Sequence, residues 1–237
     1  MSDLPTPEAL RARLEALRQT RGYLLAHHGP LAAAAPDLHD AYQRMYTALT
    51  LTERHLDAWE KEFVWLVLLV ALREAVGTHH LAQFVRAGGT EAQAGVAIRL
   101  AGYAAAAEGF SFVAEHWHGW FPGLDAAAGY ADGVRLLCGT VVAPAAADLA
   151  LAAAQAALGR DWGVAAHIHA AYAAGTDEDK LAEALAMVIW PAGVNRFLGA
   201  CTIWHRLIVA GTVTPGPRYR AWAETTGQGA FAPESSP

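Results

Sequence analysis

The sequence predicts an all-α protein made of two fused, related helical units about a pseudo-two-fold axis. Three observations carry that expectation. Alanine and leucine dominate the 237 residues, and alternating strand patterns are absent. Glycine and proline fall at intervals suited to helix connections. One pattern also occurs twice, 87 residues apart: Leu72-Arg73-Glu74, His80 and Ala87-Gly88-Gly89-Thr90-Glu91, then Gly159-Arg160-Asp161, His167 and Ala174-Gly175-Thr176-Asp177-Glu178. In each copy an Arg stands seven residues before a His and a Gly eight residues after it. A shared period of this kind is the mark of a duplicated supersecondary unit.

The elements follow in order. Pro7 to about His28 forms an amphipathic helix with Leu10, Leu14, Leu17 and Leu24/Leu25 on its apolar side, ended by Gly29-Pro30. Pro36 sits near the start of a second helix through Leu49, and Thr52 begins the turn into a third. That third helix, roughly Asp57 to Val76, is apolar almost all round after Phe63 and is expected to be central and buried. Gly77-Thr78 breaks it, and a helix from about His79 to Ala87 follows. Thr90 caps the next, with Glu91 in its first turn; it runs to about Glu108 and resumes after Gly109.

The stretch Gly119 to Gly129, with Pro122-Gly123, reads as the boundary between halves. Beyond it, helices are expected over Pro144–Leu158, Gly163–Ala174 and Glu178–Ile189. Pro191 and Gly193 then interrupt before Asn195–Ala210. The resulting layout is an N-terminal helical extension (1–35), a first repeat (36–118), a connecting segment (119–143), a second repeat (144–210) and an irregular tail (211–237) in which Trp222 is the candidate anchor.

Composition narrows the function classes. Hydrophobic residues make up 54% and charged residues 17%, which suits a buried core and argues against disorder. A net charge of −6 gives no electrostatic reason to expect nucleic acid or an anionic membrane as partner. Cys138 and Cys201 are widely separated and form no C-x-x-C, so both read as small buried apolar residues. The N-terminus lacks the basic-then-apolar layout of a signal peptide. Phe63 to Leu72 is about half of the roughly 20 residues that span a bilayer. A soluble, cytoplasmic chain with a small-molecule substrate is therefore expected.

The layout resembles the carboxymuconolactone decarboxylase / alkyl hydroperoxidase D-like superfamily. The second half carries the resemblance through Ala157-Leu158-Gly159-Arg160, His167, Ala170-Ala171, Gly175-Thr176 and Val188 through Gly193. The first half carries it more loosely, through Leu56-Asp57, Glu62, Arg73, His80, Gly88 and Thr90. Together these stretches span roughly residues 36 to 209. The resemblance implies two fused alkyl hydroperoxidase D-like units, assembly as a homo-oligomer, and catalysis without a cofactor. The peroxidase branch carries a Cys pair upstream of the His; here Arg73 and Val76, and Arg160 and Gly163, stand at those positions. A thiol peroxidase needs a thiolate and a resolving Cys. What the resemblance leaves is a decarboxylase or a related lyase.

Chemistry follows from the paired polar groups. An antiparallel hairpin brings Glu62, on the buried third helix, toward His80 on the helix that returns; a carboxylate beside an imidazole gives an acid/base pair. His167, with Asp148 on the preceding helix, is the equivalent in the second half. Decarboxylating an unsaturated acid makes a dienolate that needs a proton on carbon and stabilisation on oxygen. A His supplies the first, and Arg73 or Arg196 the second. Trp190 and Asn195, at the helix break, and Tyr103 in the first half are the remaining candidates for contact with substrate. Two rival readings stand beside this one. A divalent transition metal held by Glu62, His80, His116 and His167, gathered from separate helices, would make a metal-dependent lyase or hydrolase. A non-catalytic protein that binds a small apolar ligand or only assembles is the other.

Overall fold

Thr6 and Pro7 show how this chain starts a helix. The Thr6 Oγ1 accepts the Ala9 N–H at 3.2 Å, and Pro7 occupies a first-turn position where a missing N–H costs nothing. The computed structural model describes residues 4–229, and among them every regular element is helical. The chain divides into two units, one ending at Thr52 and the other beginning at Glu53.

The first unit holds α1 (Pro7–Arg21), α2 (His28–Ala34) and α3 (Pro36–Tyr46), followed by a π-helical turn over Thr47–Leu51. Helix α1 ends earlier than Gly29-Pro30 because Gly22 takes a left-handed conformation, φ +83°, and its N–H closes on the Arg18 carbonyl. Gly29 and Pro30 instead fall in the first turn of α2. His28 and His39 are buried in this unit, and the Arg21 guanidinium lies 3.9 Å over the Tyr46 ring.

The second unit begins with α4 (Ala58–Leu72). Asp57 and Glu60 close a reciprocal capping box at its start, and every residue from Lys61 to Leu69 is buried. It stops at Arg73, which adopts φ +55° and is the one non-glycine with positive φ among the described residues. The expected extension to Val76 is lost to that cap. Helices α5 (His79–Arg86) and α6 (Glu91–Tyr103) follow, the latter boxed by Thr90 and Gln93. A 3-10 turn over Ala104–Ala106 leads into α7 (Ala107–His116). The whole run Glu91–His116 is 26 residues long and apolar enough to cross a membrane by length and composition. Here Val96, Ala97, Leu100, Ala104 and Ala107 are core residues of this unit.

The segment read as a loose connection contains a full helix, α8 (Ala126–Cys138), capped by Asp125, whose Oδ1 accepts the Ala128 N–H at 2.9 Å. Gly129 and Gly133 lower its helix propensity, which hides it in the sequence. Gly133 is there because Tyr103 passes over it: a Cβ at that position would sit 2.0 Å from the Tyr103 hydroxyl.

Helix α9 (Pro144–Leu158) is the centre of the unit. It packs against α4, α10 (Asp161–Ala173) and α11 (Glu178–Ala186), and its many alanines allow close approach. The chain continues through α12 (Ile189–Ala192) and α13 (Val194–Val209). The segment expected to be irregular contains α14 (Pro217–Glu224), in which Tyr219 stacks on Trp204 at 4.9 Å and Trp222 meets Trp204 edge-on at 5.6 Å.

Arg73 makes the backbone cost of this fold measurable. A left-handed conformation costs an L-residue roughly 1–2 kcal/mol that glycine avoids, and the Arg73 side chain is exposed. Arg73→Gly is expected to raise stability by about 1 kcal/mol in urea denaturation. A lower midpoint would show that the guanidinium holds a contact worth more than the strain.

Candidate functional site

Helices α4 and α9 are each 15 residues long, and each carries a carboxylate as its fifth residue, Glu62 and Asp148. Each ends in a left-handed cap, Arg73 or Gly159. Both carboxylates meet an imidazole on the following helix. Glu62 Oε2 lies 2.7 Å from His80 Nδ1, and Asp148 Oδ1 lies 2.9 Å from His167 Nδ1. Both imidazoles are buried, at 2% exposure. The rings arrive differently: His80 is the second residue of α5, whereas His167 is well inside α10.

The first pair is sealed by an aromatic ring. Trp65, one helical turn after Glu62, stacks on His80 with centroids 4.2 Å apart, and the His79 ring lies 4.1 Å from the His80 ring. Desolvation pushes the Glu62 carboxyl up to about 7 and the His80 imidazole down to about 3. Burial thus disfavours charge on both partners, and the pair retains one proton over a wide pH range. Lys61, also buried, is pushed down by the same desolvation.

The second pair is extended by hydrogen bonds. Tyr130, from α8, places its hydroxyl 3.1 Å from His167 Nε2. Gln155 Nε2 donates to that hydroxyl at 3.0 Å and to the Ala104 carbonyl at 2.9 Å. Gln155 lies two turns beyond Asp148 on the same face of α9. Gly163 makes room for it, since a Cβ there would sit 2.5 Å from Gln155 Cδ. Burial pushes the Tyr130 phenol up to about 12. Its ring stacks on Tyr103 at 5.2 Å and meets Trp162 edge-on at 5.5 Å.

Trp162 lines two open clefts. One cleft of about 340 Å³ runs between α7 and the α9–α10 turn, with Glu108, Ser111, Arg160 and Trp162 in its wall. A second, of about 350 Å³, lies between α7 and the start of α8, with His118, Leu124 and Trp162 in its wall. Neither imidazole lines either cleft. Arg160 Nε donates to Glu108 Oε1 at 2.8 Å across the first.

The other candidates are dispersed. Arg73 is an exposed helix cap. Tyr103 stacks on Tyr130 and donates to its carbonyl at 3.3 Å, so it belongs to the second pair rather than the first. Arg196 and Asn195 are exposed on α13; the Arg196 guanidinium fills the space beside Gly159, where a Cβ would meet Nη1 at 1.8 Å. Trp190 is half-buried against the core. His116 is half-exposed at the end of α7, 3.8 Å from Glu115. Among the described residues no three His, Cys, Asp or Glu side chains are grouped to hold a metal, so Glu62, His80, His116 and His167 do not form the expected ligand set. Burial pushes Cys138 and Cys201 up to about 11.

Tyr130 and Gln155 are the members of the site that sequence reasoning missed. One signal was present for Gln155. In the apolar run of α9, Asp148 and Gln155 are the only polar side chains, and seven residues separate them. Tyr130 had none, because its helix is masked by glycine. No family model, curated protein or solved structure matches this chain.

The first pair dictates a pH profile. Between about pH 4.5 and 6.5 the unfolded chain binds one proton on this pair, on His80, and the folded chain also binds one, on Glu62. Its contribution to stability is therefore flat in that window. Glu62→Gln removes the folded-state carboxyl and leaves an imidazole whose depressed pKa favours folding above about 6.5 and loses that contribution as pH falls toward about 3. Stability of the variant, measured in urea from pH 4.5 to 7, is expected to fall with decreasing pH relative to the wild type. Parallel curves would show that burial does not hold His80 neutral.

Proposed function

We propose that this chain is a cofactor-independent lyase of the carboxymuconolactone decarboxylase type. Its substrate is a small unsaturated or cyclic carboxylic acid or lactone. The observation that carries the reading is the imidazole–carboxylate contact built twice, with each carboxylate at the same position on helices of equal length. Such a pair sets up general acid–base chemistry in a low-dielectric setting, which protonation of a dienolate requires.

The second half is the working one in this reading. Its pair continues through Tyr130 toward Trp162 and the clefts beyond, whereas Trp65 covers the first imidazole. Arg160 in the cleft wall and Arg196 beside Gly159 supply positive charge near the same turn for a substrate carboxylate or a developing oxyanion. The first pair then serves as the structural counterpart. Two fused related units, and assembly through exposed apolar residues such as Ile98, Leu136 and Val209, complete the proposal.

Turnover of a panel of lactones and keto acids by single variants tests it. His167→Asn is expected to lower kcat by roughly 10²–10⁴-fold, the usual worth of a positioned acid/base, with a smaller effect from His80→Asn. If neither substitution slows a confirmed reaction, the acid–base assignment is wrong.

A further inference from the structure

The hydrogen bonds around His167 have a direction that can be followed from one end. The Ala104 carbonyl only accepts, so the amide edge that Gln155 turns to it is the N–H₂. The second N–H of that group points at the Tyr130 oxygen, 3.0 Å away. Tyr130 therefore accepts there and must send its own proton elsewhere. His167 Nε2, at 3.1 Å, receives it. A neutral imidazole that accepts at Nε2 carries its proton on Nδ1, and Nδ1 faces the Asp148 carboxylate at 2.9 Å.

Nothing in this chain of contacts reverses easily. Tyr130 is 1% exposed and Gln155 is fully buried, so water does not compete for their polar atoms. Gln155 Oε1 is buried without a partner. Turning the amide over would set that oxygen against the Ala104 carbonyl oxygen and leave Tyr130 without its donor. The amide keeps one oxygen unsatisfied while its nitrogen stays where the relay needs it.

We propose that Tyr130, aimed by Gln155, is a positioning residue that keeps the His167 proton on Nδ1. It thereby sets Tyr130, His167 and Asp148 in hydroxyl–imidazole–carboxylate order. That is the polarity of a hydroxyl–His–Asp triad, with a phenol in the place of the hydroxyl. Asp148 alone would also favour the Nδ1 proton. The phenol holds it there independently. The catalytic meaning of the relay rests on the lyase reading above, but the tautomer does not.

Ring ¹H–¹⁵N spectra of the full-length protein, labelled with ¹⁵N-histidine and recorded where imidazoles are neutral, separate the two. His167 signals are identified by their loss in His167→Gln. In the wild type the proton is expected on Nδ1. It is expected to remain there in Asp148→Ala, and to move to Nε2 in Asp148→Ala/Tyr130→Phe. In Tyr130→Phe alone the Nε2 signal is expected to shift toward that of an unbonded ring nitrogen. Gln155→Leu, which keeps the bulk but frees the phenol to rotate, is expected to shift the same signal and stands in if the double variant does not fold. Transfer of the proton to Nε2 in Asp148→Ala alone, or an Nε2 signal unmoved by Tyr130→Phe or by Gln155→Leu, overturns the proposal. Absence of turnover with these spectra as expected would count against the lyase reading only.

Discussion

An imidazole and a carboxylate drawn into an interior lose hydration, and the helices of the second unit hold two such couples, one at 2.7 Å with both partners buried and one at 2.9 Å with Asp148 partly exposed. Each partner gives the other a hydrogen bond that the surrounding apolar side chains do not supply. The surroundings follow from that requirement. The carboxylates sit on the two most deeply buried helices, α4 and α9, near their starts. The returning helix in each case delivers a histidine to the same depth, and the left-handed caps at Arg73 and Gly159 allow the chain to turn back within a few residues.

The two couples are built alike but finished differently. Trp65 lies flat on His80, and its indole N–H is itself buried without an acceptor, so the first site is closed by apolar packing at the cost of one orphaned donor. Around His167 the same depth is occupied by polar groups that satisfy one another: Tyr130, Gln155 and the Ala104 carbonyl. A closed, desolvated pair suits a structural role, and a pair wired to an aromatic wall beside open space suits proton traffic. That contrast separates the two pairs.

Much of this was legible in the chain. Helical content followed from alanine and leucine without alternation, and both couples followed from carboxylates on buried helices placed 18 and 19 residues before a histidine. What stayed hidden has physical causes. Glycines inside α8 suppressed the helix signal because they serve packing, as Gly133 does for Tyr103. Arg73 reads as a substrate contact because its charge is visible in the sequence, whereas its φ of +55° is not. Tyr130 and Ala104 reach Gln155 from other helices, and contacts between distant segments leave no local pattern. The metal set failed for the same reason in reverse: His116 has a suitable side chain on a helix end that faces outward.

Each imidazole is held in place by its carboxylate. A double-mutant cycle on stability, with His167→Phe and Asp148→Leu singly and together, reads that interaction directly, and the same cycle on His80 and Glu62 repeats it in the first half. A coupling of about 0.5–3 kcal/mol in both cycles is expected for hydrogen-bonded partners in contact. Additive effects, with coupling near zero in either cycle, would show that the side chains are neighbours without being partners.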